Sequence, residues 1–191
     1  IQALLSEHRG DIRSILKDNH RLDLLYALSS QRELLLEWYD FEPEAEVLQV
    51  GADYGALTGL LRSSVSAVTV LDDTESALET VRQRYPGAAN IHYHKDSLTG
   101  YAAEACAEGK KYDYVIFAGT LTAPYEDHIH AAKALLKPEG ILIVASANAL
   151  GMKYFAGTVE EENALTKRQL MELLCGDKEN QSMAEENGAL K

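Results

Sequence analysis

Two kinds of apolar spacing divide the chain. Over residues 1–39 apolar side chains recur at helical intervals: Leu4, Leu5, Ile12, Ile15 and Leu16, then Leu22, Leu24, Leu25 and Leu28, then Leu34 to Leu36 and Trp38. Gly10-Asp11 and Ser29-Ser30 read as breaks, with Asp11 and Ser30 as N-caps, so two or three helices are expected there. Phe41-Glu42-Pro43 ends that pattern, because proline lacks an N–H and restricts the residue before it. Beyond it, short apolar and β-branched runs alternate with helical stretches. Residues 45–50, 65–71, 91–95, 112–118 and 141–146 read as strands, with helices expected after the first strand and over 75–84, 101–109 and a stretch ending at Leu136. This alternation predicts an α/β fold with a doubly wound, mainly parallel sheet. The expected division is a helical extension (1–40), a sheet domain (41–158) and an acidic helical tail (159–191) that includes Glu160 to Glu162 and a helical patch from Leu165 to Leu174.

Composition narrows the class. With 46% hydrophobic and 25% charged residues, 191 residues suit a globular domain that buries its core without staples. A net charge of −12 disfavours nucleic acid as a partner, since the field repels phosphates. Cys106 and Cys175 have no metal-site spacing and give no disulfide framework, which fits a reducing cytoplasm. No apolar run approaches the roughly 20 residues needed to cross a bilayer, so membrane insertion is not expected. The chain opens on Ile rather than Met, as a fragment of a longer protein would.

The chemistry centres on residues 47–59, VLQVGADYGALTG: a strand that stops at Gly51, a loop through Ala52, Asp53 and Tyr54 to Gly55, and helical spacing from Leu57. A glycine loop at a helix start lets the backbone approach a ligand closely. The wording resembles motif I of the class I S-adenosylmethionine-dependent methyltransferases. Gly51 and Gly55 match the first and third glycines, while Asp53 stands at the second and Gln49 replaces the usual acid. Lys137-Pro138-Glu139-Gly140 is similar to the turn that precedes the family's fifth strand. The resemblance implies a 3-2-1-4-5 strand order, S-adenosyl-L-methionine as cofactor, and a closing strand hairpin that is missing or truncated here. A nicotinamide-binding Rossmann site is disfavoured, because the loop does not supply Gly-x-Gly-x-x-Gly.

The cofactor residues implied are Gly51, Ala52, Asp53, Gly55, Asp72, Asp73, Asp96 and Ser97. An acid ending the second strand accepts hydrogen bonds from ribose hydroxyls. Asp72 is the first candidate and Asp73 its competitor, and both also suit a helix N-cap. Asp96-Ser97, after the third strand, resembles the family's contact to the adenine amino group. Asp53 would crowd the ligand, or would meet the cofactor's amino group in place of the acid lost at Gln49. His92 and His94 share a strand face, a spacing that suits either a metal pair or a polar sheet edge. The loop from Gly119 to Tyr125 follows the fourth strand and faces the ligand crevice. It lacks the Asn/Asp-Pro-Pro-aromatic box of enzymes that methylate adenine. Asp113, His128 and Tyr125 are the candidate bases, with a structural hydrogen bond at a strand start as the alternative for Asp113.

The expected function is methyl transfer to a small molecule or a glycan-type acceptor. The phrase from Asn148 to Gly157 resembles bacterial methyltransferase domains associated with cell-surface glycan synthesis, and its Lys153, Tyr154 and Phe155 suit either substrate contact or packing. The alternative is a degenerate methyltransferase-like domain with a binding or regulatory role. A homodimer or a fused downstream domain is the expected partner for the uncovered sheet edge.

Overall fold

The computed structural model describes residues 1–8, 11–159, 161 and 163–176. Gly10, Glu160, Glu162 and the expected tail from residue 177 onward lie outside the described residues. Five strands form one parallel sheet in the order β3-β2-β1-β4-β5: β1 (Glu46–Val50), β2 (Ala67–Asp72), β3 (Ile91–Lys95), β4 (Tyr112–Ala118) and β5 (Leu136–Ala145). The expected fold class and strand order are therefore observed. Among the described helices, none is long and apolar enough to cross a membrane.

Both sheet faces are buried, which is why the central strands read as nearly continuous apolar runs. On one face Val47, Val68, Val70, Ile116 and Ala118 pack against Leu61 of α4 (Thr58–Ser64) and Leu78 and Val81 of α5 (Glu75–Arg84). On the other, Leu48, Leu71, Val115 and Phe117 meet Leu98, Tyr101 and Ala105 of α6 (Leu98–Ala107) and Ile129 and Ala132 of α7 (Tyr125–Ala134). Among the described residues, two short helices follow β5: α8 (Met152–Phe155) and α9 (Lys167–Cys175), the latter opened by a capping box between Thr166 and Gln169.

The N-terminal segment forms α1 (Gln2–Glu7), α2 (Ile12–Asp18) and α3 (Leu22–Leu28), around a small core of Leu5, Ile15, Leu24 and Leu28. In the order of the chain these labels precede α4. Asp11 caps α2 by accepting from the Ser14 N–H. The expected cap at Ser30 is corrected to Ser29, whose hydroxyl accepts from Gln31 N–H at the start of a 3-10 turn spanning Ser30–Leu35.

Two boundaries differ from the sequence reading. Helix α6 begins at Leu98, three residues before expectation, because the Ser97 hydroxyl caps it by accepting from Gly100 N–H (3.1 Å). Strand β5 begins at Leu136 instead of residue 141: Leu136 pairs with Tyr112 and Ile141 with Tyr114, so Lys137 to Gly140 bulge out of the ladder between two paired positions. The expected turn is thus a bulge inside a strand. Gly140 packs on the Tyr112 carbonyl, where a Cβ would stand 2.9 Å from the oxygen.

Candidate functional site

The residues that follow strands meet at the carboxyl end of the sheet, as open α/β sheets require. A crevice of about 350 Å³ there is lined by Gly51 after β1, Asp72 and Asp73 at the end of β2, Asp96 and Ser97 after β3, Thr120 and Thr122 after β4, and His128 of α7. Of the sequence-derived candidates it brings together Gly51, Asp72, Asp73, Asp96, Ser97 and His128. Among the described residues, no Lys or Arg lines it. Three carboxylates without a cation suit a ligand that offers hydroxyl and amine donors or carries positive charge, and they disfavour a pyrophosphate.

Asp72 joins two loops. One carboxylate oxygen accepts from the Ala52 N–H and the other from the Thr74 N–H, each at 2.9 Å. The expected N-cap role is corrected, since Thr74 stands at the N-cap of α5 and Asp72 bonds its N–H in the turn before the helix; each carboxylate oxygen retains a second lone pair toward the crevice. Asp73 accepts from the Thr74 hydroxyl (2.9 Å), and Asp96 accepts from its neighbour's N–H at Ser97 (2.7 Å). Gly100 makes room for Asp96 on the first turn of α6, since a Cβ there would lie 2.6 Å from the carboxylate.

The glycine loop is held from below and from the side. Gln49 is buried, accepts from the Thr58 hydroxyl (2.8 Å) and donates to the Gly51 carbonyl (3.0 Å). An ionised carboxylate at position 49 could not make that donation, so the amide fits the observed loop. Gly51 has φ +88 and faces the Thr120 side chain, whose hydroxyl donates to the Val50 carbonyl. Gly55 turns away from the crevice toward α5, where the Tyr85 hydroxyl donates to its carbonyl (2.8 Å).

Asp53 and Tyr54 lie between these glycines with φ of +40 and +53, a left-handed pair at positions where side chains add strain. Two arginines hold them. Arg84, at the end of α5, donates to the carbonyls of Tyr54, Ala27 and Leu28 and so ties the loop to the carboxyl end of α3. Arg32, from the 3-10 turn, donates through Nη2 to Asp53 Oδ2 (2.7 Å) and to the Ala118 carbonyl (2.8 Å). Burial raises the Asp53 carboxyl above the ordinary range, and the Arg32 and Arg84 guanidiniums oppose that shift without cancelling it. Arg32, Arg84, Tyr85 and Thr120 were not singled out by sequence spacing. No sequence signal set Arg32 apart, because the prefix also carries Arg9, Arg13, Arg21 and Lys17.

His128 has one ring nitrogen committed. Nδ1 lies 2.9 Å from the Thr122 carbonyl, which can only accept, so the neutral ring carries its proton on Nδ1 and leaves Nε2 as an acceptor.

Two other candidate bases are corrected. Asp113 is the second residue of β4 and therefore stands at the opposite, amino end of the sheet, where it accepts from the Glu46 N–H and the Lys137 ammonium, each at 2.8 Å. Burial pushes its carboxyl up, but the Glu46 N–H and Lys137 together outweigh that and hold it below the ordinary range. The native state then binds fewer protons than the unfolded chain, so this stabilisation is present above the ordinary carboxylate pKa and is lost as pH falls through the lowered one. We expect Asp113→Asn to cost about 1 kcal/mol in urea unfolding at pH 7, with solvent screening keeping it small, and to cost less at a pH below the lowered pKa. Equal cost at both pH values would contradict the assignment. Tyr125 packs at the side of the sheet, lining a separate cleft between α7 and α9. On β3, His94 stacks on Tyr101 at 4.6 Å, at the edge of the sheet.

No family model matches the chain, and no curated protein matches it in sequence. Solved structures do. The N-methyltransferase NodS from Bradyrhizobium japonicum WM9 in complex with S-adenosyl-L-homocysteine superposes with a TM-score of 0.58 at 18% identity, over 91% of this chain and 83% of that one. Precorrin 8w decarboxylase of Methanobacterium thermoautotrophicum gives 0.52 at 22%, over 65% and 66% of the two chains. The CcbJ methyltransferase from Streptomyces caelestis gives 0.50 at 21%, over 61% and 49%. The chain thus spans less than two thirds of the latter two structures. With its five parallel strands in 3-2-1-4-5 order and helices on both faces, the chain has the class I methyltransferase fold.

Proposed function

We propose that this chain binds S-adenosyl-L-methionine in the crevice at the carboxyl end of the sheet and transfers its methyl group to a small-molecule or glycan-type acceptor. The observation that carries this reading is the lining itself: Asp72, Asp73 and Asp96 around Gly51, with no Lys or Arg lining it among the described residues. Carboxylates at the ends of β2 and β3 would accept from ribose hydroxyls and an adenine amine, and their charge favours a sulfonium. When bound, the cofactor supplies an activated methyl group, and the protein's part is chiefly to position the acceptor and handle its proton. His128 Nε2 would take that proton from an acceptor hydroxyl or ammonium, while the Thr122 carbonyl fixes the tautomer. That NodS is an N-methyltransferase is compatible with an amine acceptor. The setting that fits is the bacterial cytoplasm, with cell-surface glycan synthesis as one source of acceptors. A homodimer contact or a fused downstream domain would cover the outer edge of β5.

A second reading, ligand binding without turnover, is favoured by one observation: Arg32 ties Asp53 of the glycine loop to the end of β4.

Chemical unfolding with and without S-adenosyl-L-homocysteine tests the binding. At 100 times its dissociation constant the ligand adds about 2.7 kcal/mol, and no change at millimolar ligand would sink both readings. If the chain is an enzyme, His128→Gln lowers methyl transfer about 100-fold while ligand stabilisation persists. A variant as fast as the parent removes His128 from the mechanism.

A further inference from the structure

We propose that the segment after β5 carries a tip, residues 150–159, that docks on a neutral lipid surface without crossing it. Its base is a small ladder beyond the sheet. Asn148 pairs in parallel with Leu165, whose N–H donates to the Ala147 carbonyl (2.9 Å) and whose carbonyl accepts from the Ala149 N–H (3.1 Å). Between those two pairings the chain turns through α8 and returns. The tip is braced from within: the Ala156 and Thr158 N–H groups donate to the carbonyls of Met152 and Lys153, each at 3.1 Å, and Lys153 pairs with Glu161 across the base. Four large apolar side chains nevertheless face solvent within these ten residues, Leu150 (64% exposed), Met152 (85%), Phe155 (80%) and Val159 (86%). The last three are the most exposed large hydrophobic side chains among the described residues, and Met152 and Phe155 share one face of α8. Single exposed apolar residues are ordinary, but apolar exposure concentrated in one short segment marks a contact surface.

Size and charge select the occupant. A stable protein interface takes roughly 20–30 residues and about 800 Å² from each partner, more than a ten-residue tip supplies. Two copies of a chain with net charge −12 also repel one another. A protein partner would further need polar groups to read. From Ile141 to Val159 the sequence has no Asp or Glu, and its single charged residue, Lys153, is already paired with Glu161. An apolar tip without unpaired charge suits a lipid–water boundary, where binding strength follows the apolar area buried. The rest of the chain sets the lipid type, because its negative field disfavours an anionic surface. The tip leaves from the same end of the sheet as the crevice: Asn163, beside the small ladder, donates to the Gly119 carbonyl (3.2 Å), one residue before Thr120 of the crevice wall. Docking through the tip turns that end toward the lipid, an orientation that, on the reading of the crevice given above, favours an acceptor with a lipid tail.

Co-sedimentation of the protein with phosphatidylcholine vesicles tests this. At millimolar lipid the parent is expected to sediment with the vesicles, and partial replacement of the lipid by phosphatidylserine at low salt should weaken that binding. Met152→Ser combined with Phe155→Ser should lower the partition coefficient about tenfold or more, the scale of two large apolar side chains withdrawn from lipid. Both side chains are exposed, so this variant is expected to keep the parent's unfolding midpoint. Leu22→Ser combined with Leu34→Ser, which alters exposed apolar residues of the helical prefix, should leave binding unchanged. A parent that stays in solution refutes the proposal, as does a tip variant that binds as well as the parent or a prefix variant that loses as much as the tip variant. Stronger binding to phosphatidylserine vesicles would refute the neutral surface. A dimer of the parent that the tip substitutions dissolve, seen by sedimentation velocity, would assign the tip to a second copy and overturn lipid docking. Vesicle binding is read without any adenosyl ligand, so its failure leaves the crevice reading standing, and failure of ligand binding leaves the tip standing.

Discussion

Gly51→Ala is expected to lower the unfolding free energy by about 2–4 kcal/mol, the sum of a backbone term and a packing term. Gly51 sits at φ +88, where alanine is strained whatever the space around it. Space is also lacking: the added Cβ would stand 2.5 Å from Thr120 Cγ2 and 2.7 Å from Thr120 Cβ. Thr120 cannot swing aside cheaply, because its hydroxyl donates to the Val50 carbonyl at the end of β1. Combining Gly51→Ala with Thr120→Gly should recover the packing part and leave the backbone part. Urea denaturation of the single and double variants measures both, and a loss under about 0.5 kcal/mol for the single variant, the level of an ordinary surface change, would contradict this geometry.

Asp72→Ala is expected to weaken S-adenosyl-L-homocysteine binding at least about tenfold and to cost about 1–3 kcal/mol of stability. Both effects come from one carboxylate. Its two oxygens hold the Ala52 and Thr74 N–H groups, so its removal frees the glycine loop from the start of α5 and strips the crevice wall of an acceptor. Asp72→Asn separates the effects: the amide oxygen can still hold one N–H, whereas the amide nitrogen faces the other donor, so stability is recovered in part. Titration of the folded variants is decisive. Unchanged affinity in Asp72→Ala would place the ligand elsewhere.

The strands were legible because the sheet is buried on both faces. Residues 91–95 and 112–118 match β3 and β4 to the residue, and 75–84 matches α5. The errors have local causes. Lys-Pro-Glu-Gly spells a turn, yet β4 pairs on both sides of it, and only the partner strand shows that Leu136 is already in the ladder. Gly100 hid the start of α6, because a glycine in a first turn reads as a break when the carboxylate it accommodates is out of view. Within the site, the residues that directly follow strands, Gly51, Asp72, Asp73, Asp96 and Ser97, do gather at one end. Asp113 begins its strand instead of ending it, and chain direction alone puts it at the far end. The Arg32 strap was not legible, because it links a helical prefix to loops after β1 and β4 that only the fold brings together.

A crystal grown with S-adenosyl-L-homocysteine tests the central assignment most directly. The predicted result is ligand density in the crevice, with its sugar hydroxyls on Asp72 or Asp73 and its base beside Asp96 and Ser97. Density in the cleft between α7 and α9, or an empty crevice at saturating ligand, would contradict it.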